Sequence, residues 1–241
     1  MNRSQLTQIR TYLLDKQLPI DILVEVYDHF TTQISELQKE GGLNFEEAFD
    51  QVKNSWKDEL KLYWDGSWNL NDNSKFLRKM YLSINLGVLK QMFIYGGMVL
   101  LSLFLMAQLT SAELFSYLFT AAMVLFTFLP PIQYLRHRDD FDLAKKYNKY
   151  VLTYYQHSPA IFFSSFAVLI PNIDRIFNNS PTVFSVFRFM QPEYSTDRFL
   201  FTFIVIIFLV FGNALIFITQ KKYLTQIQKV KPFLIFLKPQ A

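Results

Sequence analysis

Read as a pattern of apolar and polar positions, the chain changes character near residue 75. Before it, apolar residues recur three and four apart; after it, they fill whole windows that carry no charge. Leu6, Ile9 and Leu13 predict a short first helix that ends near Lys16 to Leu18. Pro19 suits the first turn of a second helix, where an N–H has no intrahelical acceptor. Along that helix Ile20, Leu23, Tyr27, Phe30, Ile34 and Leu37 form one stripe, and Gly41-Gly42 supplies the positive φ of a C-terminal cap. Asn44 and Glu47 have the spacing of a capping box, ahead of a third stripe of Phe45, Ala48, Phe49, Val52, Trp56 and Leu60. Three such helices bury one another, so residues 1–63 are expected to form a helical domain. A domain of this size is marginal alone and is expected to lean on the rest of the chain or on a partner.

Residues 64–74 read as a polar, turn-rich linker holding Trp64 and Trp68, and Lys75 to Lys90 as an amphipathic lead-in helix, so residues 64–90 join two parts. Four charge-free windows follow: Gln91–Ala112, Leu114–Leu135, Tyr150–Ile173 and Phe199–Gln220. The last has 22 residues and reaches roughly 33 Å as a helix, against about 30 Å of hydrocarbon. Thr110 and Glu113 again have capping-box spacing, which predicts a tight hairpin between the first two spans. His157, Pro159 and Pro171 trim the third. The spans are therefore expected at about 91–110, 114–135, 159–177 and 199–219, with residues 91–220 as the bundle and 221–241 as a tail. The predicted fold is all-α: a polytopic membrane protein with four transmembrane helices behind a three-helix N-terminal domain.

Charge gives this arrangement a direction. Residues 1–75 hold 8 Lys/Arg and 13 Asp/Glu, whereas residues 76–241 hold 16 and 7. With four spans, one side of the bilayer receives 13 basic residues, from Arg78, Lys79 and Lys90 through the loop of Arg136, Arg138, Lys145, Lys146 and Lys149 to the lysines of the tail. The other side receives Arg188 and Arg198, with Arg175 close by. By the positive-inside rule both termini, and with them the acidic helical domain, are cytoplasmic. An acidic soluble part excludes direct nucleic-acid binding, and zero cysteines exclude disulfides, thiolate metal sites and a cysteine nucleophile. The N-terminus has no apolar core of a secretory signal, so the mature chain is expected to begin near Met1.

Candidate chemistry is sparse. Glu25, Asp28 and His29 form the most suggestive polar group of the soluble part and are its candidate interaction residues; Glu25 and His29 share a helix face, but a two-histidine zinc pattern is absent, so an ion pair or a helix-to-helix contact is the better reading. Arg136-His137-Arg138-Asp139-Asp140, with Asp142, could be taken for a metal- and phosphate-binding loop of a lipid-modifying enzyme, but a basic loop with mixed charges is what any cytoplasmic connection looks like, and topology with lipid contact is the better reading. Asp174 and Arg175 stand at the end of a span, where an interfacial position costs little. Asn213, beside Gly212, lies well inside the fourth span and reads as helix-to-helix glue. The apolar run from Val183 to Met190 reads as a short outer helix or a cap on the bundle. The tail from Lys231 to Pro239 has too few apolar residues to span and is expected either to dip into the interface or to pack on the helical domain. There is no nucleophile elbow, phosphate-binding Gly loop or dinucleotide fingerprint, and no metal or cofactor is expected.

Leu6 to Leu18-Pro19, Val24-Glu25-Val26-Tyr27-Asp28-His29-Phe30, Gly41-Gly42 and Leu43-Asn44-Phe45-Glu46-Glu47-Ala48-Phe49 resemble a HAAS-type domain in its Bacteroidota version. This three-helix module sits at the N-termini of bacterial membrane proteins, often encoded beside PadR-like transcription regulators. Where that family has Gly and Pro late in the third helix, this chain has Asn54-Ser55-Trp56. The resemblance implies a cytoplasmic interaction module on a bacterial inner-membrane anchor, with a cytoplasmic protein partner such as a PadR-like regulator. The expected function is thus non-enzymatic signalling or protein interaction at the lipid bilayer. The alternatives are a small transporter or channel, acting as a homo-oligomer because four spans make a poor pathway, and a metal-dependent lipid-modifying enzyme using Asp139, Asp140 and Asp142.

Overall fold

A computed structural model describes residues 1–63, 73–156, 173–189 and 196–238. Among them the chain is nearly all helix, relieved by a single antiparallel ladder of two residues on each side, Leu62–Tyr63 against Asn73–Ser74. The helices are α1 (Arg3–Leu14), α2 (Ile20–Glu40), α3 (Phe45–Leu60), α4 (Lys75–Leu109), α5 (Ala112–Arg136), α6 (Arg138–Lys146), α7 (Ile173–Phe187) and α8 (Thr196–Val230), followed by a 3₁₀ turn over Lys231–Phe236. Among the described residues, three stretches are long and apolar enough to cross a membrane: α4, α5 and residues 203–236. In α4 only 17% of the most apolar window is buried within the protein, which suits a surface solvated by lipid tails. The expected third span, 159–177, lies outside the described residues up to 172.

The chain forms two compact units. The first comprises Met1–Leu86, Leu143–Tyr154 and Thr225–Ala241. In it, capping boxes at Asn2/Gln5 and Asn44/Glu47 start α1 and α3 by giving the first free N–H groups an acceptor. Gly42, at φ 64°, carries the chain out of α2 in a conformation that costs other residues strain. Ile9 and Leu13 of α1, Leu23, Phe30 and Ile34 of α2, and Ala48, Phe49 and Val52 of α3 are buried together. Tyr12 sits against Phe30 and Phe49 with ring centres 5.9 and 5.8 Å away, and Trp56 donates from Nε1 to Gln33 Oε1 at 3.0 Å.

The second unit comprises Gly87–Asp142 and Tyr155–Leu224. Its core joins Leu103 and Ala107 of α4, Phe115, Phe119 and Met123 of α5, Ile176, Val183 and Phe184 of α7, and Ile206, Leu209 and Val210 of α8. Helix α7 packs along α5, and Arg188 just beyond it donates to the Ala107 and Gln108 carbonyls at 3.0 and 2.9 Å. These are acceptors that the C-terminus of α4 leaves without intrahelical donors.

Several boundaries differ from expectation, each for a local reason. The lead-in helix and first span are one helix, α4, because Lys90 is a good helix former and nothing near it caps. Helix α8 likewise runs ten residues past Gln220, through Lys221 and Lys222. Ser111, rather than Thr110, caps α5, its hydroxyl accepting from Leu114 N–H, while Thr110 bonds back to the Met106 carbonyl.

Candidate functional site

The most constrained polar position of the first unit is the start of α2. Pro19 occupies the cap position and offers no side-chain acceptor, so the first N–H groups of the helix need partners from elsewhere. A non-helical segment far along the sequence provides them: Ile20 N–H donates to the Val151 carbonyl at 2.8 Å and Asp21 N–H to the Leu152 carbonyl at 3.1 Å. Asp21 returns the contact, its Oδ2 accepting from Tyr154 N–H at 3.4 Å and its Oδ1 from Ile22 N–H at 3.0 Å. Leu152 and Thr153 are fully buried here, and Thr153 Oγ1 has no hydrogen-bond partner among the described residues. The Tyr154 ring lies 4.6 Å from that of Tyr81, and its hydroxyl donates to Asn85 Oδ1 at 2.6 Å.

Asp21 itself is only 6% exposed. Burial pushes its carboxyl up to about 6, Glu25 one turn on adds to the rise, and the N–H groups of Tyr154 and Ile22 work against it. No cation pairs with it among the described residues. Asp21 is the functional-site candidate that sequence reasoning missed. The signal was present, a lone carboxylate within Leu18-Pro-Ile-Asp-Ile-Leu-Val24, but an acid in a first helical turn ordinarily faces water.

The residues singled out from sequence do not converge. Glu25 meets Lys229 at 3.7 Å, both side chains about half exposed, a pair of little energetic weight. Asp28 is exposed, and His29, also exposed, stacks on Trp56 with ring centres 6.4 Å apart. No group of three metal-ligating side chains exists among the described residues. Of the carboxylates after α5, Asp140 lies 4.0 Å from His137 Nδ1 and Asp142 3.6 Å from Arg138 Nε, while the Asp140 carbonyl accepts from the Tyr223 hydroxyl at 2.8 Å. Asn213 is buried and donates to the Leu209 carbonyl at 2.8 Å and to Thr127 Oγ1 at 3.4 Å. Asp174 is exposed in the first turn of α7, and Arg175 follows it.

A groove of about 330 Å³ runs between α2 and α3, with Leu37 and Val52 as apolar lining and Gln33, Glu36, Glu40, Gln51 and Ser55 as polar lining. Glu36 and Glu40 are exposed, and neither has an ion-pair partner among the described residues. Comparison with protein families, curated proteins and solved structures finds no match to this chain.

Proposed function

We propose that this chain is a non-enzymatic, membrane-anchored interaction module, sitting in a bacterial inner membrane with both termini cytoplasmic, whose helical unit docks a basic segment of a partner protein. The observation that carries this reading is the groove between α2 and α3. Glu36 and Glu40 stand four apart at the C-terminal end of α2. Like charges at that spacing repel, and the partial negative charge of a helix C-terminus opposes both, each effect costing a few tenths of a kcal/mol. A Lys or Arg side chain laid on the part-exposed Leu37 would relieve both, burying its methylene stem while its head meets the carboxylates. The resemblance to HAAS-type domains supports the same reading and suggests a partner such as a PadR-like regulator.

The test is affinity isolation from membranes with the full chain, with a chain lacking residues 1–62, and with the double reversal Glu36→Lys/Glu40→Lys. The expected result is a partner lost with the deletion, weakened by the reversal and weakened by salt. An identical partner set from all three would move the function into the spans. One observation favours a second reading, an oligomeric transporter or channel subunit: Gln220, in α8, is fully buried and neither end of its amide has a hydrogen-bond partner among the described residues. Flux that depends on Gln220 and Asn213 would support that reading over the first.

A further inference from the structure

We propose that Asp21 is a proton-operated latch: its protonated carboxyl lets the segment Val151–Tyr154 lie against the first turn of α2, and its ionisation loosens that hold. The inference stands whether or not the helical unit binds a partner.

The geometry sets the sign. Docking of the segment buries Asp21 to 6% exposure and covers Leu152 and Thr153 completely. Three elements present titratable groups to the carboxyl. From α2 comes Glu25, of like charge and only partly offset by Lys229 of α8 at 3.7 Å. From α4 comes Tyr81, and from the segment itself Tyr154, whose hydroxyl is committed to Asn85. None of these is a cation in contact with the carboxyl. The positive end of the α2 dipole would ordinarily favour an anion here, but its first two N–H groups are already taken by the Val151 and Leu152 carbonyls. What the carboxyl receives is the Ile22 N–H, a weaker contribution from its own N–H, and one long bond from Tyr154. That is thin support for a buried charge, and a neutral acid can keep both bonds because each oxygen retains a lone pair to accept with.

The linkage follows from the shift. An acid near 3.8 when free, and at about 6 when the segment is docked, binds its proton more tightly in the docked state. The extra hold is fully present below the free value and is lost as pH rises through about 6. A difference of about two pKa units corresponds to a change of about 100-fold in the docking equilibrium. The latch is therefore tight in acid and slack at neutral pH. It acts on the stretch that links α6 to the residues beyond Gln156, so acidification would be felt as a change in how firmly that stretch is held.

The chain has no cysteine, so a single thiol can report on docking. Thr153→Cys, in the full chain in lipid nanodiscs, places that thiol at a buried position, and Thr32→Cys on the exposed face of α2 provides the correction for thiolate fraction. Corrected alkylation of Thr153→Cys is expected to rise with pH, with its midpoint near 6 and a span approaching 100-fold. In Asp21→Asn/Thr153→Cys it is expected to stay slow and flat. Hydrogen exchange at the Ile20, Asp21 and Tyr154 amides of the chain without either thiol gives a second reading that needs no change at position 153. Protection that falls through the same pH range, and becomes pH-independent in Asp21→Asn, supports the latch. A flat profile in the unaltered chain, or one that survives Asp21→Asn, overturns it.

Discussion

The guanidinium of Arg10 lies 3.3 Å from the centre of the Phe236 ring, tying the first helix to the turn that follows the last. Phe233 offers a second ring at 5.7 Å, and it is buried together with Leu237. Arg10 Nε is buried without a hydrogen-bond partner among the described residues, and the aromatic faces lie against the guanidinium. Arg10→Gln is expected to weaken the tail's hold by about 1–2 kcal/mol. Arg10→Lys should recover little of it, because an ammonium cannot lie flat on a ring. Hydrogen exchange across α1 and residues 227–237 checks this, and unchanged protection in Arg10→Gln would remove the contact from the account.

Gly96 is where α4 admits a side chain of α8. A Cβ built there would come closer than 3.0 Å to ring carbons of Phe211, whereas one on Gly97 meets nothing within 4 Å. Gly96→Ala must therefore displace the ring, at a cost of about 1–3 kcal/mol, while Gly97→Ala should be neutral or slightly stabilising. Thermal unfolding midpoints of the two variants in detergent should separate accordingly. Pairing Gly96→Ala with Phe211→Leu should restore much of the loss.

Asn213 and Thr127 test whether a buried polar pair between α5 and α8 is structural. Their contact is long, 3.4 Å, and Asn213 also bonds within its own helix at 2.8 Å. A double-mutant cycle with Asn213→Leu and Thr127→Val is expected to give coupling near the membrane average of about 0.6 kcal/mol and below about 1.7. A larger value would show that the pair does more than join two helices.

Arg188 makes two charge-assisted bonds to the end of α4, and one of them is exposed to solvent. Arg188→Gln is expected to cost about 1–2 kcal/mol, less than a buried pair of such bonds would. The loss should appear as faster exchange at Met106 to Thr110 without change in α1 to α3. Fraying confined elsewhere would contradict the capping role.

The parts legible in the sequence are those set by neighbours three and four residues apart. The stripe through Ile20, Leu23, Phe30 and Ile34 is buried, and the Asn44/Glu47 box closes as its spacing requires. What escaped were contacts made by residues distant in sequence. Asp21 is buried by residues 151–154, Glu25 finds Lys229, and Arg10 finds Phe236; no local pattern encodes these partners. The helix ends of α4 and α8 escaped for another reason. Hydropathy marks where lipid tails can replace water, whereas a helix ends where caps or breakers end it, and Lys90, Lys221 and Lys222 are neither.

The unbroken course of α8 has a mechanical consequence. A helix of 35 residues is a rod of roughly 52 Å that bends far less readily than a loop would. Tilting it by about 5° about one end carries the other end sideways by about 4–5 Å, close to the advance of one helical turn. Lys229 and Val230 sit at the end of that rod, so a small lean of the helix moves their own backbone by about the size of a side chain. A flexible hinge at Gln220 would have absorbed the same lean and delivered nothing.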